Sequence, residues 1–206
     1  MICASRIGVL CLLVIVMGMA LAGCGITPTP IPTAQSTAES TKETVDEGSS
    51  SVDARLRQGN EFAAAGDFVR AAAEFEAAVA SEPANVSARS NLGVVYYRLG
   101  RLDEAIEQWQ RAIEIAPADA DLYSNLAAAY VQKGQPEVAL EHYQTAVERN
   151  PELAEAYFGL GVVSMQFDRV EEAIQAFEKF QELDRGQDLT ASDLAKEYLE
   201  QLKGQQ

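Results

Sequence analysis

The chain has 206 residues and a formal net charge of −15 at pH 7, which allows one domain with a sizeable core. Acidity on that scale argues against nucleic acid or an anionic membrane surface as the direct partner of the folded part. One histidine and three cysteines leave little material for imidazole catalysis or a thiolate metal site.

The N-terminus reads as an export signal. Arg6 supplies a short positive region, and residues 7–22 form a mostly apolar run of 16 residues. A comfortable bilayer span needs about 20. The run ends Leu21-Ala22-Gly23-Cys24. This ending resembles the lipobox of bacterial lipoproteins, in which small residues admit the signal peptidase and the cysteine thiol accepts a diacylglyceryl group. The resemblance implies a signal peptide over residues 1–23, cleavage before Cys24 and acyl chains on the Cys24 sulfur. Cys3 and Cys11 would leave with the signal, so the mature fold would hold no disulfide and no thiol nucleophile. Residues 24–51 are then the lipidated cysteine and a Thr-, Pro- and Ser-rich stretch without helical periodicity, which reads as a disordered tether.

From Val52 the sequence repeats every 34 residues. Ala71, Ala105, Ala139 and Ala173 form one ladder, and Phe75, Trp109, Tyr143 and Phe177 another. Gly59, Gly93 and Gly161 share a third with Ala127, and Pro83, Pro117 and Pro151 close three of the four units. A fixed period of this length signals a solenoid. Each unit reads as two helices, predicted over residues 53–65 and 68–81, 86–99 and 102–115, 120–133 and 136–149, and 153–167 and 170–184. In the second unit Leu92, Tyr96 and Leu99 recur on one face, and Ala105, Ile106, Trp109, Ala112 and Ile113 do so on the next helix. Gly93 and Ala105 let the two backbones approach, and Trp109 fills what remains. Gly100 stands where the first helix must reverse. Asn85 and Thr190 are expected N-caps, and Pro136 fits a first helical turn. A last helix, about 190–202, carries an apolar stripe of Leu194, Tyr198, Leu199 and Leu202 and reads as a cap over the fourth unit.

The second unit carries Leu92, Gly93, Tyr96, Gly100, Ala105, Trp109, Ala112 and Pro117. The third carries Tyr123, Leu126, Ala127, Tyr130, Gly134, Ala139, Tyr143, Ala146 and Pro151. These residues, at this spacing, resemble the tetratricopeptide repeat (TPR) family. The first unit departs with Arg55 and Gln58 at apolar positions. The fourth departs with Asp168 for the turn glycine, Phe180 for a small alanine and Arg185 for the proline. The resemblance implies an all-α solenoid of four helix-turn-helix repeats, over residues 52–85, 86–119, 120–153 and 154–187, followed by a capping helix within 188–206.

The resemblance also implies that the first helix of each pair lines a concave groove. Helical spacing then brings to that inner face Leu56 and Asn60; Asn91, Val94, Tyr97 and Arg98; Asp121, Ser124, Asn125, Ala128 and Val131; and Glu155, Phe158, Val162 and Met165. Of these, Asn60, Asn91, Val94, Tyr97, Arg98, Asn125, Ala128, Val131, Phe158, Val162 and Met165 are the candidate partner-binding residues. Amides can hydrogen-bond a peptide backbone because they both donate and accept. The apolar members offer a track for an extended segment or a helix. Capture of a C-terminal carboxylate, known in some TPR domains, is disfavoured, because Leu56 and Asp121 stand where basic residues are needed.

No catalytic pair, metal-ligand spacing or phosphate loop is found. His142 reads as a surface or groove residue. The chain is therefore expected to be no enzyme and to need no cofactor or metal. The expectation is a lipid-anchored scaffold, facing the extracytoplasmic side of a bacterial cell envelope, that binds protein or peptide partners and assembles them there. Its membrane contact runs through acyl chains on Cys24, nucleic acid is no partner, and a homo-oligomer is open. The alternative is a small-molecule or lipid receptor using the same groove.

Overall fold

A computed structural model describes residues 47–204 of the chain. The expected signal segment, Cys24 and the stretch read as tether, up to residue 46, lie outside the described residues. Among those residues there are nine helices and no strand. Unit 1 is α1 (Glu47–Ala64) and α2 (Phe68–Ser81), and unit 2 is α3 (Val86–Arg98) and α4 (Leu102–Ile115). Unit 3 is α5 (Ala120–Gln132) and α6 (Pro136–Arg149), and unit 4 is α7 (Ala154–Gln166) and α8 (Val170–Asp184). α9 (Leu189–Lys203) follows. None of these helices is long and apolar enough to cross a membrane.

The helix limits follow local chemistry, with two corrections to the sequence reading. The Ala88 N–H donates to the Asn85 side chain at 2.9 Å, as an N-cap requires, and Pro136 sits in the first turn of α6. The cap of α9 is Asp188, whose carboxylate accepts from the Ala191 N–H at 3.0 Å, so Thr190 lies inside the helix. α1 starts at Glu47, within the stretch read as tether. Val52 explains this: it is 2% exposed and packs with Ala78 and Ala88. Anchoring Val52 in the core extends the helix upstream of it.

Each hairpin closes through one left-handed residue between its helices. Gly66, Gly100 and Gly134 have φ of 76°, 74° and 73°, and Asp168 takes the fourth position at φ 55°. Glycine reaches that region without strain; Asp168 reaches it at a cost.

The packing core is the set of ladders read from the sequence. Ala71, Ala105, Ala139 and Ala173 are fully buried, and Phe75, Trp109, Tyr143 and Phe177 are nearly so. A β-carbon built on Gly93 falls 2.6 Å from Trp109 Nε1, and one built on Gly59 falls 2.5 Å from the Phe75 ring. Glycine therefore sets how closely the helices of a hairpin approach. Unit 3 differs: Ala127 occupies the glycine slot, and the Tyr143 ring lies against Gly159 of the next unit.

Polar bridges repeat with the same period. Arg55 reaches Glu74 at 3.3 Å within unit 1, and Arg89 reaches Gln108 at 2.9 Å within unit 2. Between units, the Tyr96 hydroxyl donates to Glu76 at 2.8 Å, and Gln110 donates to the Tyr130 hydroxyl at 3.3 Å. Ser164 holds the equivalent position in unit 4. Its short side chain reaches no partner and is buried with its hydroxyl unpaired, while Gln144 turns to Glu172 at 3.1 Å.

First helices of successive units touch one another: α1 with α3, α3 with α5, and α5 with α7. This makes them the inner layer of the stack. At the C-terminus α9 packs on α8. Its buried face is Ser192, Ala195, Leu199 and Leu202, with Tyr198 at the edge, 5.3 Å from the Phe177 ring. Leu194, expected in the stripe, is 37% exposed. That phase carries a buried hydrogen bond, Ser192 Oγ to Asp184 at 2.8 Å, with Ser192 turned inward and Leu194 outward.

Candidate functional site

The inner faces of α3 and α5 meet in a shallow pocket of about 120 Å³ lined by Val94, Tyr97, Arg98, Trp109, Asn125 and Ala128. Five of its six lining residues are candidates drawn from sequence spacing; Trp109 is the sixth. The helical period explains the convergence. Val94, Tyr97 and Arg98 share one face of α3 at i, i+3 and i+4, and Asn125 and Ala128 share one face of α5. The small Ala128 leaves room for the Tyr97 ring, which lies 6.2 Å from the Trp109 ring at 52°. Trp109 is 1% exposed and its indole N–H has no acceptor. Sequence reasoning gave Trp109 to the core alone, because its ladder position is a packing position.

The other candidates divide into two groups. Asn91 Nδ2 donates to Asn60 Oδ1 at 3.2 Å, so these two amides bridge α1 and α3 and each spends one group on the other. Phe158, Val162 and Met165 pack half-buried against the core of α8 and α9. Phe158 meets Phe177 edge-on at 5.8 Å and Phe180 at 5.2 Å. The bulk of Phe180, where other units carry alanine, draws Phe158 inward. Val131 is half-buried in the core of units 3 and 4. Ser124, read as inner surface, is buried at 6% exposure.

A second cavity, of about 360 Å³, opens at the end of the array. Its lining combines Ala154, Glu155 and Phe158 of α7 with Phe180 and Asp184 of α8 and with Asp188 and Ala191 at the start of α9. Only Phe158 among these is a candidate from the sequence. The missed signal is the Ala-to-Phe change at Phe180, visible in the ladder but readable as end-unit irregularity.

The electrostatics of the inner face are uneven. Burial raises the Glu155 carboxyl above its ordinary range, and the neighbouring Asp121 charge adds to this. Asp121 is raised in turn by burial and by Asp119. Burial also raises the Tyr143 phenol, with Tyr97 and Glu155 contributing. Asp184 behaves oppositely. Burial works against its charge, but hydrogen bonds from Ser192 and from the backbone N–H groups of Asp188 and Gly186 outweigh that and hold it low. His142 is not in the groove region; it stacks on Tyr130 at 5.5 Å and 12°. Burial pulls its pKa down, against an opposing effect of Glu141. Among the described residues, no three His, Cys, Asp or Glu side chains are grouped to hold a metal.

The sequence matches the family profile described as the cilia and flagella-associated protein 70 C-terminal domain over residues 33–188. No curated protein matches the chain. Among solved structures, MamA (41-end) from Desulfovibrio magneticus RS-1 is 29% identical, covering 66% of this chain and 77% of that one, with a TM-score of 0.60. YrrB, described as a TPR protein with an unusual peptide-binding site, is 23% identical over 75% of this chain and 84% of that one, at a TM-score of 0.56. The pilF protein of Pseudomonas aeruginosa is 19% identical over 75% and 77%, at 0.63. At these identities YrrB and pilF share the fold alone. With the family profile spanning residues 33–188 and four helix pairs recurring in a 34-residue register, the chain belongs to the tetratricopeptide repeat family.

Proposed function

We propose that this chain is a lipid-anchored scaffold that binds protein or peptide partners on its inner face and assembles them at a bacterial cell envelope. One observation carries the binding part. Val94, Tyr97, Arg98, Asn125 and Ala128 converge on a single pocket formed by two consecutive first helices. Aromatic and arginine groups beside an amide are the residue types that dominate protein-recognition surfaces. The pocket's volume, about 120 Å³, is below the 300–1,000 Å³ range of small-molecule sites. It suits one side chain of a longer segment. The cavity of about 360 Å³ at unit 4, between α7 and the junction of α8 and α9, is a larger recess at the end of that layer.

The anchoring part rests on the Leu21-Ala22-Gly23-Cys24 ending of the apolar run. Each buried methylene of an acyl chain contributes about 0.8 kcal/mol, so two or more chains hold a protein firmly to a bilayer. Confinement to that surface raises the effective concentration of the groove for membrane-bound partners.

Two substitutions test the two parts separately. Cys24→Ser should abolish incorporation of labelled fatty acid; retained label rejects the anchor. Tyr97→Ala should reduce crosslinking of partner polypeptides in intact envelopes while leaving the helical circular dichroism unchanged. Unchanged crosslinking rejects the groove.

A further inference from the structure

The cavity at unit 4 differs from the one at unit 2 in charge and in wall chemistry. Its walls are Phe158, Phe180, Ala154 and Ala191, and its carboxylates are Glu155, Asp184 and Asp188. Two of these carboxylates are already engaged. Asp184 accepts from Ser192 Oγ and from the backbone N–H groups of Gly186 and Asp188, and Asp188 caps Ala191. Glu155 is held by neither kind of bond. Its nearest charged influence is another carboxylate, Asp121, from the preceding first helix. The Tyr143 ring, 7% exposed, lies against Gly159 one turn along α7 from Glu155. The cavity thus has an aromatic and methyl lining and three carboxylates without a cation, of which Glu155 alone is also without a hydrogen bond. An aliphatic stem ending in a positive head matches each of these features.

We propose that this cavity takes a lysine or arginine side chain of a partner segment, its stem along the touching rings of Phe158 and Phe180 and its head on Glu155. The inference rests on the groove reading above and names the partner's chemistry. Cations also favour the faces of aromatic rings, and a chain of net charge −15 draws basic segments toward itself. The pocket at unit 2 carries Arg98 instead. A segment that spans both pockets therefore binds in one direction, with its basic residue over unit 4 and away from Arg98.

The test uses the 206-residue chain in detergent and two fluorescein-labelled nine-residue peptides, one of repeated Lys-Ala-Leu and one of repeated Glu-Ala-Leu. Fluorescence anisotropy should show binding of the lysine peptide and little of the glutamate peptide. Glu155→Gln should weaken the lysine peptide by about fivefold, the size of one partly exposed ion pair. Glu155→Lys should reverse the preference. Glu107→Gln, which removes an exposed charge from α4, should leave affinity unchanged. Three results overturn the proposal: equal binding of both peptides, no binding of either, or equal weakening by Glu155→Gln and Glu107→Gln. Equal binding leaves the groove itself standing. The groove falls if Tyr97→Ala leaves partner crosslinking intact.

Discussion

Asp168 holds a backbone conformation that three glycines hold in the other units, with φ of 55° against 73–76°. A residue with a β-carbon is strained there by about 1 kcal/mol, although aspartate tolerates it better than most. Asp168→Gly should therefore raise the urea midpoint, and a lowered midpoint would show that the aspartate does something beyond turning the chain. Ser164 presents a different cost. Its hydroxyl is fully buried and unpaired, and an unmet buried polar group costs about 1–3 kcal/mol. Ser164→Ala removes the group with little change of volume. It should be neutral or stabilising in thermal unfolding, in contrast to most core substitutions. Asp168 was read in the sequence as a departure at the turn; Ser164 was not singled out. What the sequence did not give was the consequence: only the position of Gln144, turned to Glu172, reveals that a bridge present at Tyr96 and Tyr130 is missing at Ser164.

The hairpin depends on how near two helices can come. At Gly93 an added methyl group would fall 2.6 Å from Trp109 Nε1 and 2.7 Å from Cε2. The indole is rigid and enclosed, so Gly93→Ala should cost about 1–3 kcal/mol by overpacking. Guanidinium unfolding would measure it, and a loss under about 0.5 kcal/mol would mean that α3 and α4 slide apart freely. Unit 3 illustrates the alternative solution, with Ala127 in the slot and its aromatic ring against Gly159.

At the junction of α8 and α9 the controlling residue is Asp184. Its folded pKa lies below the ordinary carboxylate value, so it contributes stability that is present above about pH 4 and lost as pH falls through the lowered folded value. Asp184→Asn should accordingly be less stable than the parent near neutral pH. The gap should close as pH falls below about 4; a gap that stays constant on acidification would deny the charge any role. The existence and order of the helices were legible because period and ladders agree. The inner face of α9 was legible at Leu199 and Leu202, which are buried, but not at Leu194. Leu194 is a better apolar residue than Ser192, but Ser192 donates to Asp184 and shares the buried face with Ala195, Leu199 and Leu202. The same holds for its cap, where Asp188 precedes the expected Thr190 by two positions.

At the scale of the molecule, stability and recognition come from one arrangement. No single hairpin buries its apolar face, so each unit leans on its neighbours. The end unit, lacking a further repeat, is closed by α9. In unit 4 Phe180 stands where the ladder carries alanine, and Phe158 packs against it at 5.2 Å. The groove was only partly legible for this reason. Helical spacing, applied to the inner face that the family resemblance implies, names Val94, Tyr97, Arg98, Asn125 and Ala128, which the fold places around one pocket. It could not foresee that Asn60 and Asn91 bind each other, nor that Phe158, Val162 and Met165 are drawn into the terminal core.

The central claim is that the layer of first helices receives a partner segment. It is tested most directly by photo-crosslinking in intact cells, with benzoylphenylalanine placed at Val94 on the inner layer or at Glu107 on α4, outside it. The account predicts a discrete polypeptide adduct from position 94 and none from position 107. An adduct from position 107 alone, or from neither position, would contradict it.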